Sequence, residues 1–239
     1  MSQISRVAGA SLSSELPLAE SYPSLPPPLL RLENLLGRLI EFSGSSATAT
    51  LTVALRCVRE AQQLREPVCW VTPWESHFFP PDAAAGGIDL ESLVVVRLTQ
   101  MHWAPRAADL LVRSGGFGLV VLDFSRYPQP LSLAVFTRLA ALARKHSAAL
   151  LFLTEKLKER PSLSSLVSLR VEAQRKQHWK GEWPVGGEFA KEVLAENDST
   201  GRAFGYEIHV LKDKRPAENS ASGRLESWGE ICGVPDGLC

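Results

Sequence analysis

The sequence has only four cysteines in 239 residues, Cys57, Cys69, Cys232 and Cys239. None belongs to a Cys-x-x-Cys pair and none has a histidine at metal-ligand spacing, which argues against a zinc site and a disulfide framework. Reduced thiols fit a cytoplasmic setting. The five histidines (His77, His102, His146, His178, His209) are scattered and show no metal or triad spacing, so no metal and no cofactor is expected. Charge of one sign is also missing. Lysine and arginine total 26, and aspartate and glutamate total 26, which disfavours a chain that coats nucleic acid by bulk charge. No apolar run approaches about 18 residues and no basic-then-apolar leader begins the chain, so neither a membrane span nor a signal peptide is expected. There are no internal repeats.

What is present reads as one α/β domain with attached tails, at 45% hydrophobic and 22% charged residues. Residues 1–28 are rich in Ser, Ala and Pro and end in Pro26-Pro27-Pro28, the composition of a flexible arm. The domain spans 29–216. Within it, apolar strands at 38–43, 67–72, 93–98, 118–123 and 148–154 alternate with helices at 50–64, 82–86, 104–114 and 131–146. Continuous apolar strands separated by amphipathic helices predict a parallel sheet covered on both faces. Segments 166–174 and 204–211 alternate apolar and polar residues, the antiparallel pattern, with an irregular or hairpin-like stretch over 178–200 between them. Residues 217–239 form a tail that can dock but not fold alone.

Residues 37–51 have the approach and exit of a phosphate-binding loop. An apolar strand with Leu39, Ile40 and Phe42 enters a small-residue turn, and a helix with Leu51, Ala54, Leu55, Val58 and Ala61 on one stripe leaves it. A working loop reads G-x-x-x-x-G-K-[ST], because backbone amides cradle phosphates, the Lys reaches the β and γ oxygens and the hydroxyl holds magnesium. After Gly44 this chain has no second Gly and no Lys. Thr48 stands at the ammonium position and Ala49 at the magnesium hydroxyl.

Strand and motif order over residues 37–175 resembles the ATPase core of the RecA recombinase family. Ile40-Glu41-Phe42-Ser43-Gly44 looks like the strand entering that family's phosphate loop, and Thr50-Leu51-Thr52 with Glu60-Ala61-Gln62 like the helix after it. Counting from Cys69-Trp70-Val71 places Glu75 at the family's catalytic glutamate, and Gly87 to Leu93 at its next strand entry. Val120-Val121-Leu122-Asp123 looks like the Walker-B strand and Leu150 to Thr154 like the strand before the second DNA-binding loop. The resemblance implies a RecA-like three-layer α/β fold, a mainly parallel central sheet extended by antiparallel strands. Gly44, Thr48, Ala49, Thr50, Glu75 and Asp123 are then the remains of a nucleotide site, with Asp123 accepting bonds from Thr48 or Thr50.

The departures carry the functional expectation. Beyond the altered phosphate loop, the spans after Asp123 and over 155–165 are too short for the family's two DNA-binding loops. This combination resembles the ImuA-type proteins of bacterial mutagenesis cassettes. It implies a non-enzymatic subunit that binds an ImuB-type inactive Y-family polymerase and, through it, an error-prone replicative polymerase in translesion synthesis. The alternatives are an atypical nucleotide-binding ATPase and a SulA-like inhibitor of cell division. Short basic runs (Lys156, Lys158, Arg160; Arg175, Lys176, Lys180) are ordinarily a solvated face, and weak DNA contact is the sharper reading because they sit where RecA relatives bind DNA. The dense aromatics Trp70, Trp74, Phe78, Phe79 and Trp103 have no Lys or Arg among them between 67 and 96. Core packing or a protein interface therefore fits them better than base stacking. Val95, Leu110 and Leu111 are the candidates for the floor of a partner groove, on a surface that could also join copies of the chain.

Overall fold

The computed structural model describes residues 28–45, 48–76, 78–125, 131–179, 202–214 and 224–227. The β-branched and leucine-rich segments become one eight-stranded sheet. In chain order its strands are β1 (Leu39–Gly44), β2 (Val68–Pro73), β3 (Leu93–Leu98), β4 (Leu119–Asp123), β5 (Ala149–Glu155), β6 (Leu169–Trp179), β7 (Arg202–Asp213) and β8 (Arg224–Ser227). Their spatial order is β3-β2-β4-β5-β1-β6-β7-β8. The first six in that order run mutually parallel; β7 and β8 then join antiparallel.

Helices α1 (Leu32–Leu35), α2 (Thr50–Gln63) and α3 (Pro80–Ala85) cover one face, and α4 (Ala104–Arg113) and α5 (Leu133–Lys145) the other. The division follows from crossover handedness. Connections stepping toward β3 (β1 to β2, β2 to β3) must lie on one side, and those stepping back (β3 to β4, β4 to β5) on the other, if all are right-handed. Each of β1, β2 and β4 is buried along its whole length, as a sheet covered on both faces requires.

Expected and observed elements coincide within about two residues through β5. Beyond it the two differ. The alternation of 166–174 predicts an antiparallel strand, yet β6 pairs parallel with β1 over Ile40↔Leu169 to Ser43↔Glu172 and antiparallel only with β7. Its alternation comes from one face covered by α2 and the other by a polar loop. The sheet also continues into the segment read as a tail, since Arg224–Ser227 pair with β7. Residues 1–27 and most of 178–200 lie outside the described residues. No described helix is long and apolar enough to cross a membrane.

One buried carboxylate ties α1 to α2. Glu60 Oε2 accepts from the Leu32 amide at 2.8 Å, and burial raises its pKa against the opposing pull of that bond and of Arg31. A carboxyl raised in the folded state adds stability below its unfolded pKa, and that contribution is lost as pH rises through the folded value. Glu60→Gln keeps an acceptor for Leu32 and removes the buried charge. Urea unfolding should therefore find it more stable than wild type at neutral pH, with the gain disappearing below the ordinary glutamate range of about pH 4. A less stable variant at neutral pH would mean that the charge-assisted bond outweighs desolvation.

Candidate functional site at the carboxyl ends of the sheet

In open α/β sheets ligands bind beyond the carboxyl ends of the strands, and Gly44, Glu75, Asp123 and Thr154 all arrive there. At the end of β1 the turn closes on itself. Thr48 forms an isolated bridge with Gln174 of β6. Its hydroxyl donates to the Ala173 carbonyl at 3.0 Å, accepts from the Thr50 amide at 3.0 Å and meets the Thr50 hydroxyl. The Ala49 amide is also used, donating to Ala173 at 3.0 Å. Thr48 thus caps α2 and fills the space above Gly44. A Cβ on Gly44 would stand 2.8 Å from the Thr48 Cβ and 3.0 Å from the Thr50 hydroxyl. Ser46 and Ala47 lie outside the described residues.

Asp123 does not reach these threonines, which corrects the expectation. Strand β5 lies between β1 and β4, so their ends are about 10 Å apart, and the Thr48 hydroxyl faces β6 instead. Asp123 is buried and accepts from Thr72 of the adjacent β2 at 3.2 Å, from the Ser125 amide at 3.1 Å and from the Ser125 hydroxyl. Glu75 is exposed in a cleft of about 400 Å³ at the ends of β2 and β3, with Trp74, Leu98, Thr99 and Met101. The structure therefore divides the six nucleotide-site residues among three places.

The basic residues divide too. Lys156, read as a DNA contact, turns inward: its ammonium pairs with the fully buried Glu41 at 2.5 Å and donates to the Pro161 carbonyl at 2.7 Å. Glu41 also accepts from Thr154 at 3.1 Å and from the Leu163 amide at 3.0 Å. Beside it in register, buried Arg170 donates to Ser43 at 3.1 Å, to Leu157 at 3.0 Å and to the Arg160 carbonyl. The short β5–β6 connection is thus strapped to the sheet by cations reaching its carbonyls. Glu41 and Arg170 were missed as site-shaping residues. The available signal was a charge in the middle of each of two apolar strands, which is costly unless paired. Lys158, Arg160 and Arg175 are exposed. Lys176 lies on β6 opposite Gly205.

Of the interface candidates, Leu110 is half exposed, while Val95 and Leu111 are partly buried against the two cores. Strand β3 is an edge strand, hydrogen-bonded only to β2, and Val94 on it is 45% exposed. The aromatic group splits. Trp70 stacks obliquely on Phe78 inside the core at 5.2 Å, whereas Trp74, Phe79 and Trp103 are exposed.

With this geometry in place, sequence comparison gives partial similarity to RecA. The chain is 34% identical over 88 residues to Protein RecA of Ruegeria pomeroyi, covering 37% of this chain and 25% of that protein. It is 34% identical over 87 residues to Protein RecA of Fusobacterium nucleatum, covering 36% and 23%. Over 88 residues it is 34% identical to Protein RecA of a Nocardioides species, covering 36% and 25%. The chain therefore spans about a quarter of the length of the curated relatives it matches. No protein-family model matches it. This is homology to part of RecA, and the α/β fold is consistent with it.

The packing of Thr48 on Gly44 can be measured by a mutant cycle. Thr48→Gly loses a hydroxyl cap, roughly 1–2 kcal/mol, and Gly44→Ala forces a Cβ into filled space at roughly 1–3 kcal/mol. Removing the Thr48 side chain makes the room that the Gly44→Ala methyl needs. The double variant should therefore be less destabilised than the sum by at least about 0.5 kcal/mol in urea unfolding. Strict additivity would mean that Thr48 does not fill the site.

Proposed function

We propose that this RecA-like domain is a non-catalytic subunit of a bacterial translesion-synthesis complex, binding an ImuB-type polymerase homologue. The observation that carries the non-catalytic half is the filled cradle over Gly44. A phosphate bound there would compete with the Thr48 hydroxyl for the same amide and the same space, without a lysine to favour it. Ala49 offers no oxygen to magnesium. Losing a charge-assisted donor to phosphate costs roughly 1.5–3 kcal/mol, so the remnant is read as a degenerate phosphate loop. Asp123, bonded to Thr72 and Ser125, is a structural residue on this reading. The inward turn of Lys156 and the short connections favour at most weak, salt-sensitive DNA contact.

The partner surface is the β3 edge with the adjoining α4. Unpaired main-chain groups along an edge strand can accept an added strand, and neighbouring apolar side chains supply pockets for its residues. Val94, Trp74 and Leu110 are exposed around that edge. The Trp74 cleft runs along its carboxyl end, the kind of aromatic-lined recess in which interface energy concentrates.

Two measurements test the two halves. Millimolar Mg-ATP should leave the melting temperature unchanged, because a ligand stabilises only above its dissociation constant, and steady-state phosphate release should equal the blank. A clear rise in either supports the ATPase alternative. Separately, full-length ImuB-type protein from the same cell should be retained by the wild-type chain and lost, by tenfold or more in affinity, with Val94→Asp and Leu110→Asp. Both positions are exposed enough to leave the fold intact. No binding to wild type would sink the cassette reading and favour division proteins. Binding that survives both substitutions would move the groove elsewhere.

A further inference from the structure

A second cleft, of about 550 Å³, lies between the start of α4 and the first half of α5. Its apolar wall is Trp103, Pro105, Val135 and Leu139, with Arg106 and Arg138 at the rim. Exposed leucines continue the surface, Leu110 on α4 and Leu133 on α5. Trp103 is held by neighbours on both sides, with His102 against its ring at 4.9 Å and the Arg106 guanidinium 5.8 Å from its centroid. A bulky aromatic kept half exposed in this way is a preformed contact rather than a collapsed one.

The charge around the cleft is one-sided. Helices α4 and α5 carry Arg106, Arg113, Arg138, Arg144 and Lys145 against the single carboxylate Asp109. Asp109 is already committed, taking two bonds from Arg138 with Arg113 3.9 Å away. The chain as a whole has zero formal charge, so the compensating acid lies elsewhere. Much of it lies in residues 181–200, outside the described residues. That segment carries Glu182, Glu188, Glu192, Glu196 and Asp198 against the single cation Lys191, together with Trp183, Phe189, Val193 and Leu194. Five carboxylates against one cation answer five cations against one carboxylate, and both surfaces carry large apolar side chains.

The flanking strands set which copy supplies the segment. Strand β6 runs seven residues past its last pairing with β1, from Ala173 to Trp179, an advance of about 23 Å. The base of this β6–β7 arm packs on the α2 side: Ala173, Tyr206 and Ile208 belong to that core, and Arg56 donates to the Tyr206 hydroxyl at 2.8 Å. The cleft is on the opposite, α4–α5 face. We infer that the acidic 181–200 segment of one copy docks in the α4–α5 cleft of a second copy, using its apolar residues as anchors and the arginine rim for orientation. The inference does not depend on the mutasome reading, and it uses a surface distinct from the β3 edge.

Charge exchange tests it with the full-length chain. Wild type should associate with concentration in sedimentation velocity up to about 100 µM at low salt, and less as salt is raised. A groove variant, Arg106→Glu with Arg113→Glu, should be monomeric. So should a segment variant, Glu188→Lys, Glu192→Lys and Glu196→Lys. Mixing the two, each with a wild-type-like circular dichroism spectrum and melting temperature, should restore association, because each then offers what the other needs. Monomeric wild type, self-association of either variant, or failure of the mixture to associate would each overturn the inference.

Discussion

A parallel sheet must bury both faces, and most of this molecule follows from that constraint. Because β1, β2, β4 and β5 have no solvated side, their sequences are runs of Val, Leu and Ala, and helices must alternate with them to cover both surfaces. Right-handed crossovers then assign α2 and α3 to one face and α4 and α5 to the other. Polar chemistry is left only two places, the carboxyl ends of the strands and the outer faces of the helices. Every functional candidate stands in one of those two places or on the β3 edge where the sheet stops.

The buried charges near β1 show how a short connection replaces a long one. Glu41 is a carboxylate inside the sheet, and an isolated charge there would be prohibitively costly. Lys156, Thr154 and the Leu163 amide all serve it, while Arg170 draws in the carbonyls of Leu157 and Arg160. The polar groups of the β5–β6 connection are therefore consumed in holding it down. A segment with its cations satisfied internally has little left to offer a phosphate backbone, whatever its sequence suggests. Removing only Glu41 would leave Lys156 and Arg170 without their carboxylate, the situation in which a broken buried pair is most damaging.

How much of this was legible in the sequence follows from the range of the interactions. Strands β1 to β5 and helices α2, α4 and α5 announce themselves through local periodicity, since each buries a face set by its own residues. Strand β6 does not, because its parallel partner β1 lies more than a hundred residues earlier and its alternation mimics a hairpin strand. Strand β8 is four residues long and lies beyond a Ser, Asn and Gly stretch, so its pairing with β7 is visible only in three dimensions. At the site, the missing lysine and the Thr48 substitution could be read by position alone. The partner of Asp123 could not, since Thr72 reaches it only through the β2–β4 neighbour relation. Likewise Lys156 looked like a free surface cation because Glu41, its counter-charge, is 115 positions away in the chain and fully buried.

The contrast between Lys156 and the α4–α5 arginines gives a criterion for reading basic residues in a neutral protein. A cation beside a buried carboxylate is held by a strong local demand, since unpairing it would strand a charge in low dielectric. Arg106 and Arg113 face water, and the one acid nearby, Asp109, is already occupied by Arg138. Their attraction for a further anion is therefore unspent, and it is also screened by salt. A net charge of zero thus conceals two different situations, neutrality reached within a cluster and neutrality reached only across the whole chain. The second leaves separated surfaces of opposite sign, and it is these separated surfaces that can act between molecules.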